Sequence, residues 1–432
     1  MIALTALMAS CTPKETTLTF VETTDTHGRY DEFANDAYVI KQMKAELGDK
    51  LILLDNGDDL QGTVFQYCSN QNADFPNLVS EVLNYFPYDV AGVGNHDIEA
   101  GRKVFDRVYA ETKMPIVCAN VIDEATGEPY FTPYIILERE GYKIAVLGLL
   151  TPYVVTWVPD RLRPGLRFEQ LEAAAEKWLH VIQEQEHPDL MVGLFHSGFE
   201  PQVQNLPEDA PLGRENATKW VAENIAGFDL IFYGHDHRAR AEKLTNPNGE
   251  PVYVLNSGNR AQGLAKVEVT FRKGEKPQID FGLMPTDGEE KDTDFAALLQ
   301  PYLDRADEYQ SREVAELPVT IGTDEAFSGP CLWVDEIHRC QFETVEAEGI
   351  HADISMAAPL SGGKTLEAGM LKVSDFFTWY PFENSLAVMA LTGKEVKAFL
   401  EYAYEMKSPI YNFDSGAGLI YEVTDKNPMG ER

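Results

Sequence analysis

At 432 residues the chain is too long for one ordinary core and suggests two or three domains. Its 36 basic and 70 acidic side chains leave a formal charge of −34. Such a surface argues against nucleic-acid polymers, whose binding rests on Lys and Arg neutralising phosphates. No apolar run is long enough to span a bilayer.

The chain opens on "MIALTALMASCTPKE", an apolar stretch, then Ala-Ser-Cys, then a polar segment. This reads as residues 1–15 forming a lipoprotein signal and tether, with Cys11 lipidated after cleavage. The expected location is extracytoplasmic, in a bacterial periplasm or anchored to its outer membrane. The lipid at Cys11 is then the only membrane contact. One departure is that no basic residue precedes Ile2. Cys68, Cys118, Cys331 and Cys340 show no Cys-x-x-Cys spacing, so a zinc knuckle is not expected and buried structural thiols are.

From residue 16 to about 290, strand-like runs ("TLTFVET", "KLILLDN", "YDVAGVG", "MPIVCAN", "KIAVLGLLT", "DLMVGLF", "DLIFYG", "PVYVLNS", "LAKVEVTF") alternate with helical patterns. The helical ones include "DAYVIKQMKAEL", "FPNLVSEVLNYF" and "LEAAAEKWLHVIQEQE". The alternation predicts an α/β domain with helices covering the sheets. "PYIILEREGYKIAVLGLL" predicts a hairpin at Glu140-Gly141, hence mixed sheets. Residues 291–312 read as a linker helix that Pro301 interrupts. Residues 313–432 read as a second, smaller α/β domain with helices in "VDEIHRCQFETVEAE" and "GKEVKAFLEYAYEM".

Several strands of the first domain end in the same kind of chemistry. Asp25 and His27 close the first run, where an extended segment would point both to one face. Asp58 follows the second run; Asn95, His96, Asp97 and Glu99 follow another. His196, then His235, Asp236 and His237, follow two more. Glycines bound these motifs and let backbone approach a site closely, and α/β proteins gather ligands at strand carboxyl ends. Five of the nine histidines lie in these motifs. His180, His187, His338 and His351 do not and read as surface or satisfied core residues.

In order, Asp-x-His, Gly-Asp, Gly-Asn-His-Asp, His-Ser-Gly and Gly-His-x-His resemble the calcineurin-like metallophosphoesterases. That resemblance implies a two-sheet metallophosphatase sandwich flanked by helices. It implies that Asp25, His27, Asp58 and His237 hold one divalent metal. Asp58, Asn95, His196 and His235 would hold the other, with Asp58 as bridge. Nitrogen and oxygen donors without thiolate suit Zn, Mn or Fe. Two divalent ions less two carboxylates leave about +2, which attracts a phosphate despite the acidic surface. His96 would act on the phosphoryl group and leaving oxygen, paired with Glu99 where the nucleotidase branch commonly has aspartate. Asp97 and Asp236 read as supporting or surface groups.

The second domain resembles that of the 5′-nucleotidase family. "ADISMAAP" and "YNFDSGAGLIYEV" look closer to the 2′,3′-cyclic-nucleotide 2′-phosphodiesterase/3′-nucleotidase branch. The resemblance implies hydrolysis of a nucleotide or cyclic nucleotide, with Phe382 stacking on the base and Asn384 contacting it. The 5′-nucleotidase Asn-Gly-Gly-Gly signature is absent, "APLSGGK" standing near its place, so arginine contacts do not carry over. The family's domain continues beyond "YEVTDKNPMGER" and holds a second stacking aromatic there, so the expectation is a C-terminal domain lacking its last strands. Alternatives are a 5′-nucleotidase or UDP-sugar hydrolase, a broad phosphatase, or a non-catalytic nucleotide-binding lipoprotein. Oligomeric state is left open.

Overall fold

The computed structural model describes residues 15–72, 75–200, 211–380, 384, 386–405, 413–424, 426–428 and 430–431. The chain divides into two compact units, Met1–Arg305 and Ala306–Arg432. Among the described residues, no helix is long and apolar enough to cross a membrane.

The first unit carries β1 (Thr16–Thr23), β2 (Leu51–Asp55), β3 (Val90–Ala91), β4 (Val121–Asp123), β5 (Tyr134–Arg139), β6 (Tyr142–Leu150), β7 (Leu166–Phe168), β8 (Leu190–His196), β9 (Leu230–Tyr233), β10 (Arg240–Thr245), β11 (Pro251–Asn256), β12 (Gly263–Phe271) and β13 (Gln278–Pro285). One sheet has the order β13-β12-β1-β2-β3 and the other β10-β11-β9-β8-β6-β5, while β4 and β7 pair separately. β1, β2 and β3 are parallel, as are β6, β8, β9 and β11. β12 and β13 join the first sheet antiparallel, and β10 and β5 the second, so both sheets are mixed. The β5–β6 hairpin turns at Glu140 and Gly141, both at positive φ, as the two-residue loop predicts.

The apolar runs fill three layers because each central strand is buried on both faces. Phe20, Ile52 and Val90 of one sheet meet Val192, Leu194 and Phe232 of the other in a core between the sheets. Val21 and Leu53 turn the opposite way, under Ala37 and Ile40 of the helix Ala34–Leu47. On the far side, Leu171, Leu179 and Ile182 of the helix Leu171–Gln185 cover Ala145 and Met191. This is the two-sheet sandwich with outer helices. The carboxyl ends of the parallel strands meet along one edge, where Asn56 Nδ2 after β2 donates to the carbonyl of Phe195 in β8 (3.1 Å).

Three expectations are corrected. "YDVAGVG" and "MPIVCAN" supply only the two-residue β3 and isolated bridges at Ile116 and Val117. Pro115 has no N–H to give a ladder, and Gly92 and Gly94 weaken the extended run. Pro301 does not interrupt its segment, which is one helix, Thr293–Gln310. Its ring forfeits one hydrogen bond, while Phe295, Leu299 and Tyr302 bury the same face against the first unit's core. Cys118 and Cys331 are buried as expected, but Cys68 is half-buried and Cys340 is exposed.

The second unit is a smaller α/β arrangement. Among the described residues, three two-stranded ribbons pair Glu313–Leu317 with Gly369–Lys372, Ile321–Gly322 with Thr365–Leu366, and Ser355–Ala357 with Ser415–Ala417. The helices Leu332–Ala347, Val373–Trp379 and Gly393–Glu405 accompany them. Trp333 and Trp379 meet edge to face in its core, ring centroids 4.7 Å apart. His338 is a satisfied core histidine between the hydroxyls of Ser355 (2.8 Å) and Ser415 (3.1 Å).

Candidate metal centre

The predicted ligands sit on loops just past the strand ends. β1 stops at Thr23. Asp25 and His27 follow it in the left-handed region, as do Asp58, His235 and His237, with φ between 50° and 77°. The expectation that Asp25 and His27 converge through extended alternation is therefore corrected. A curled backbone brings them together, and the second loop holds it. Asp25 N–H donates to the Gly57 carbonyl and His27 N–H to that of Asp58, both at 2.9 Å. Five non-glycine residues at positive φ in one site is strain that the surrounding structure must over-determine. Glycine is required where the loops touch: a Cβ on Gly94 would lie 2.1 Å from Asp58 Oδ1.

Asp25, His27, Asp58 and His237 each offer a ligand atom, all within 4.8 Å of one another. His237 Nε2 lies 3.3 Å from Asp25 Oδ1 and 2.9 Å from His27 Nε2. On the other side of Asp58, His196 Nε2 lies 3.1 Å from Asp58 Oδ2 and 3.8 Å from Asp25 Oδ1. His235 Nδ1 lies 2.8 Å from Asn95 Oδ1, and His235 N–H donates to Asp25. Asp58 is thus the carboxylate common to both groups, and Asn95 and His235 join through each other and Asp25.

The donor set fits divalent metal. His196 Nδ1–H donates to the Asn56 carbonyl (2.7 Å) and His27 Nδ1–H to that of Gln61 (3.3 Å), because a carbonyl only accepts. Their Nε2 atoms are thereby the ones turned into the site. Asp58 Oδ2 and His196 Nε2 are buried without a hydrogen-bond partner. Such orphaned atoms are costly unless something else satisfies them. Calcineurin-like phosphoesterases use a dinuclear divalent metal centre, and these side chains form a possible ligand cluster for it.

The electrostatics have two poles. Burial works to raise the carboxyls of Asp25 and Asp58, but neighbouring histidines, His196 foremost, hold both below the usual range. Burial pushes the His27 ring down to about 4, so it is neutral at pH 7. For His196, burial is overridden by Asp58 and Asp25, which push it up to about 10. For His96, burial is likewise overridden, by the Asp58 charge and then the Glu99 hydrogen bond, which raise it to about 9.

His96 lies beside the cluster, its ring centroid 5.1 Å from that of His27. Its backbone N–H donates to Asp58 Oδ1 (2.8 Å), and its Nδ1 meets Glu99 Oε2 at 2.7 Å. Glutamate therefore reaches the ring from three residues along the helix Asn95–Glu99. Asp97 is buried and accepts four backbone N–H groups, from Asp58, Asp59, Leu60 and Gly94. Asp236 accepts from Phe199 N–H and Asn256 Nδ2. Both brace loops rather than face solvent freely.

Asn384 is exposed in the second unit, its Nδ2 donating to the Tyr380 hydroxyl (2.9 Å). Phe382 and Cys11 lie outside the described residues. Three site neighbours escaped sequence reasoning: Asn56, whose carbonyl orients His196, Glu215 beside His235, and Trp157, its ring centroid 5.5 Å from that of His235. None sits in a chemical motif, so no local signal marks it.

Comparison with known proteins agrees with this geometry. The calcineurin-like phosphoesterase profile matches residues 18–239, and the 5′-nucleotidase C-terminal domain profile matches residues 320–432. A Haemophilus influenzae 2′,3′-cyclic-nucleotide 2′-phosphodiesterase/3′-nucleotidase is 25% identical over 92% of this chain and 69% of its own. A Vibrio vulnificus 5′-nucleotidase is 24% identical over 92% of this chain and 79% of its own. In three dimensions, a Staphylococcus aureus structure solved with alpha-ketoglutarate has TM-score 0.80 at 21% identity, over 96% of this chain and 86% of that one. A Thermus thermophilus 5′-nucleotidase precursor gives 0.66 at 22% identity, over 96% and 84%. With one profile over more than half its length, the chain belongs to the calcineurin-like phosphoesterases, and a 5′-nucleotidase C-terminal domain profile follows in tandem.

Proposed function

We infer that this hydrolase cleaves nucleotide phosphoesters with two divalent ions, as a 2′,3′-cyclic-nucleotide phosphodiesterase and 3′-nucleotidase. The observation that carries the chemistry is the convergence of the six other predicted ligands around Asp58, with buried polar atoms at the centre that make no aligned hydrogen bond. Asp25, His27, Asp58 and His237 would hold one ion; Asp58, Asn95, His196 and His235 the other. When bound, the ions supply positive charge for the phosphoryl oxygens and lower the pKa of a water, with Zn, Mn or Fe suited to the donors.

The chain's own residues do the rest. Asp25 and Asp58 stay ionised. Their loops are anchored by Asp97 and by backbone bonds, so the geometry is set before substrate arrives. Glu99 holds the Nδ1 side of His96 and leaves Nε2 for the phosphoryl group and the departing oxygen. There the imidazolium can stabilise charge and give a proton.

Support for the cyclic-nucleotide branch is the Haemophilus relative and the motifs of the second domain. Relatives named 5′-nucleotidase and UshA match over similar lengths and favour a second reading, hydrolysis of 5′-nucleotides. A panel of 2′,3′-cyclic, 3′- and 5′-nucleotides with Mn²⁺ decides. Preference for the first two supports the primary reading and preference for the third overturns it. No turnover at all would leave a nucleotide-binding lipoprotein.

The same reading puts Phe382 against the base and Asn384 on its edge. Phe382→Ala should raise nucleotide KM about five- to a hundred-fold, the worth of one stacking partner. Turnover of a simple aryl phosphodiester should not change. Extracytoplasmic nucleotide salvage and a lipid at Cys11 belong to this proposal on the strength of "LMASC". Cys11→Ala should release the protein from membranes of its host, and an unchanged distribution would refute the anchor.

A further inference from the structure

His235 is gripped on both sides. Nδ1 lies 2.8 Å from Asn95 Oδ1, and Nε2 lies 3.1 Å from Glu215 Oε1. An ionised carboxylate only accepts, so the proton of a neutral ring belongs on Nε2, toward Glu215. The lone pair is then on Nδ1 and faces Asn95 Oδ1, itself an acceptor. Two lone pairs 2.8 Å apart repel unless a cation sits against both. Glu215 therefore selects the tautomer in which Nδ1 and Asn95 Oδ1 can share a metal.

The position of Glu215 is built, not incidental. Its segment is fastened to the turn that follows His196. Ser197 Oγ donates to the Glu215 carbonyl (2.7 Å) and accepts from Ala217 N–H (2.9 Å). Gly198 N–H donates to Asn216 Oδ1 (3.1 Å), and Thr218 Oγ1 donates to the Ser197 carbonyl (2.7 Å). Ser197, Asn216 and Thr218 are buried. The Ser-Gly of the His-Ser-Gly motif thus holds the loop that orients a different histidine, His235. The Glu215 side chain is only 29% exposed and that of His235 12%, so water competes weakly for the contact.

We propose that Glu215 is a positioning residue that fixes His235 with Nε2 protonated and Nδ1 directed at the metal shared with Asn95. This rests on the dinuclear reading above. A carboxylate behind a ligating histidine sets ring orientation and raises its basicity, and removing one typically costs 10–100-fold in metal affinity.

The test is calorimetric titration of the full, metal-stripped chain with Mn²⁺, for wild type, Glu215→Ala and Glu215→Gln. Wild type should take two ions. Glu215→Ala should weaken one of them about 10–100-fold and leave the other within threefold. Glu215→Gln, whose amide oxygen still accepts from Nε2–H but carries no charge, should recover most of that loss. A thermal melt of each variant checks folding. Ser197→Ala, which loosens the loop and keeps the carboxylate, should show a smaller loss at the same site. Equal Mn²⁺ affinities for wild type and a folded Glu215→Ala would overturn the proposal. So would a loss that Glu215→Gln does not recover, since Gln keeps the size and the acceptor, and its failure would mean that the charge rather than the hydrogen bond to Nε2 acts on the site. A wild type that takes no ion would instead overturn the dinuclear reading itself.

Discussion

Asp58 Oδ2 and His196 Nε2 lie 3.1 Å apart, both buried, and neither is aligned for a hydrogen bond. With His196 pushed up to about 10 the two attract as ions, yet neither makes the aligned hydrogen bond that would offset its burial, and a divalent ion held by both would supply that compensation. Asp58 also accepts from His96 N–H, so one side chain ties the cluster to the helix that carries His96.

On the proposed reading, in which one donor serves two coordination shells, Asp58→Asn should lose both ions and all detectable turnover. Elemental analysis of the purified variant checks this. Two retained ions with normal turnover would show that Asp58 does not bridge.

His96→Ala should behave differently. The ring is beside the ligands rather than among them, so metal content should stay at the wild-type level. The rate should fall about 10²–10⁴-fold, the usual worth of a positioned acid. Glu99→Gln should lose less, because the amide oxygen can still hold Nδ1. Loss of metal from His96→Ala would make His96 a ligand.

Gly94→Ala probes the meeting of the two loops. The new methyl would lie 2.1 Å from Asp58 Oδ1 and 2.4 Å from Asp58 N. Something must shift, at about 1–3 kcal/mol of stability for an overpacked site. Because the atom struck is on the shared carboxylate, metal affinity should fall with it. A variant with wild-type melting temperature and metal content would show that the loops are looser than this.

Asp36 gives a pH dependence away from the metal centre. It is fully buried on the helix Ala34–Leu47, accepts from Thr286 Oγ1, and its Oδ2 has no partner. Burial pushes its carboxyl up to about 7. Unfolded, it titrates near about 4. The folded protein thus holds the extra proton between these values. Its stabilising effect is fully present below about pH 4 and lost as pH rises through about 7, as much as about 4 kcal/mol in all. Asp36→Asn cannot titrate. Melts in chelator should show the variant gaining on wild type from pH 4.5 to pH 8. A constant difference would refute the assignment.

The candidate donors were legible along the chain because each motif is local. Asp25-x-His27, Asn95-His96 and His235-x-His237 each occupy a few residues at a strand end, and hydrophobic periodicity placed the strands. The α/β class followed from the alternation of β and α runs, and the two-sheet sandwich from the family resemblance. Convergence was decided only in three dimensions. Asp25 and His27 meet through a left-handed backbone held by Gly57 and Asp58, contacts more than thirty residues away in sequence. Which imidazole nitrogen each histidine offers depends on Asn56, Gln61 and Glu215, residues of ordinary type in unremarkable contexts. Pro301 likewise reads as a break, yet its helix persists because the buried face of Phe295, Leu299 and Tyr302 outweighs one missing hydrogen bond. Donor types are a property of the residues themselves, whereas donor direction is a property of long-range hydrogen bonds, which form only once the sheets have closed on one another.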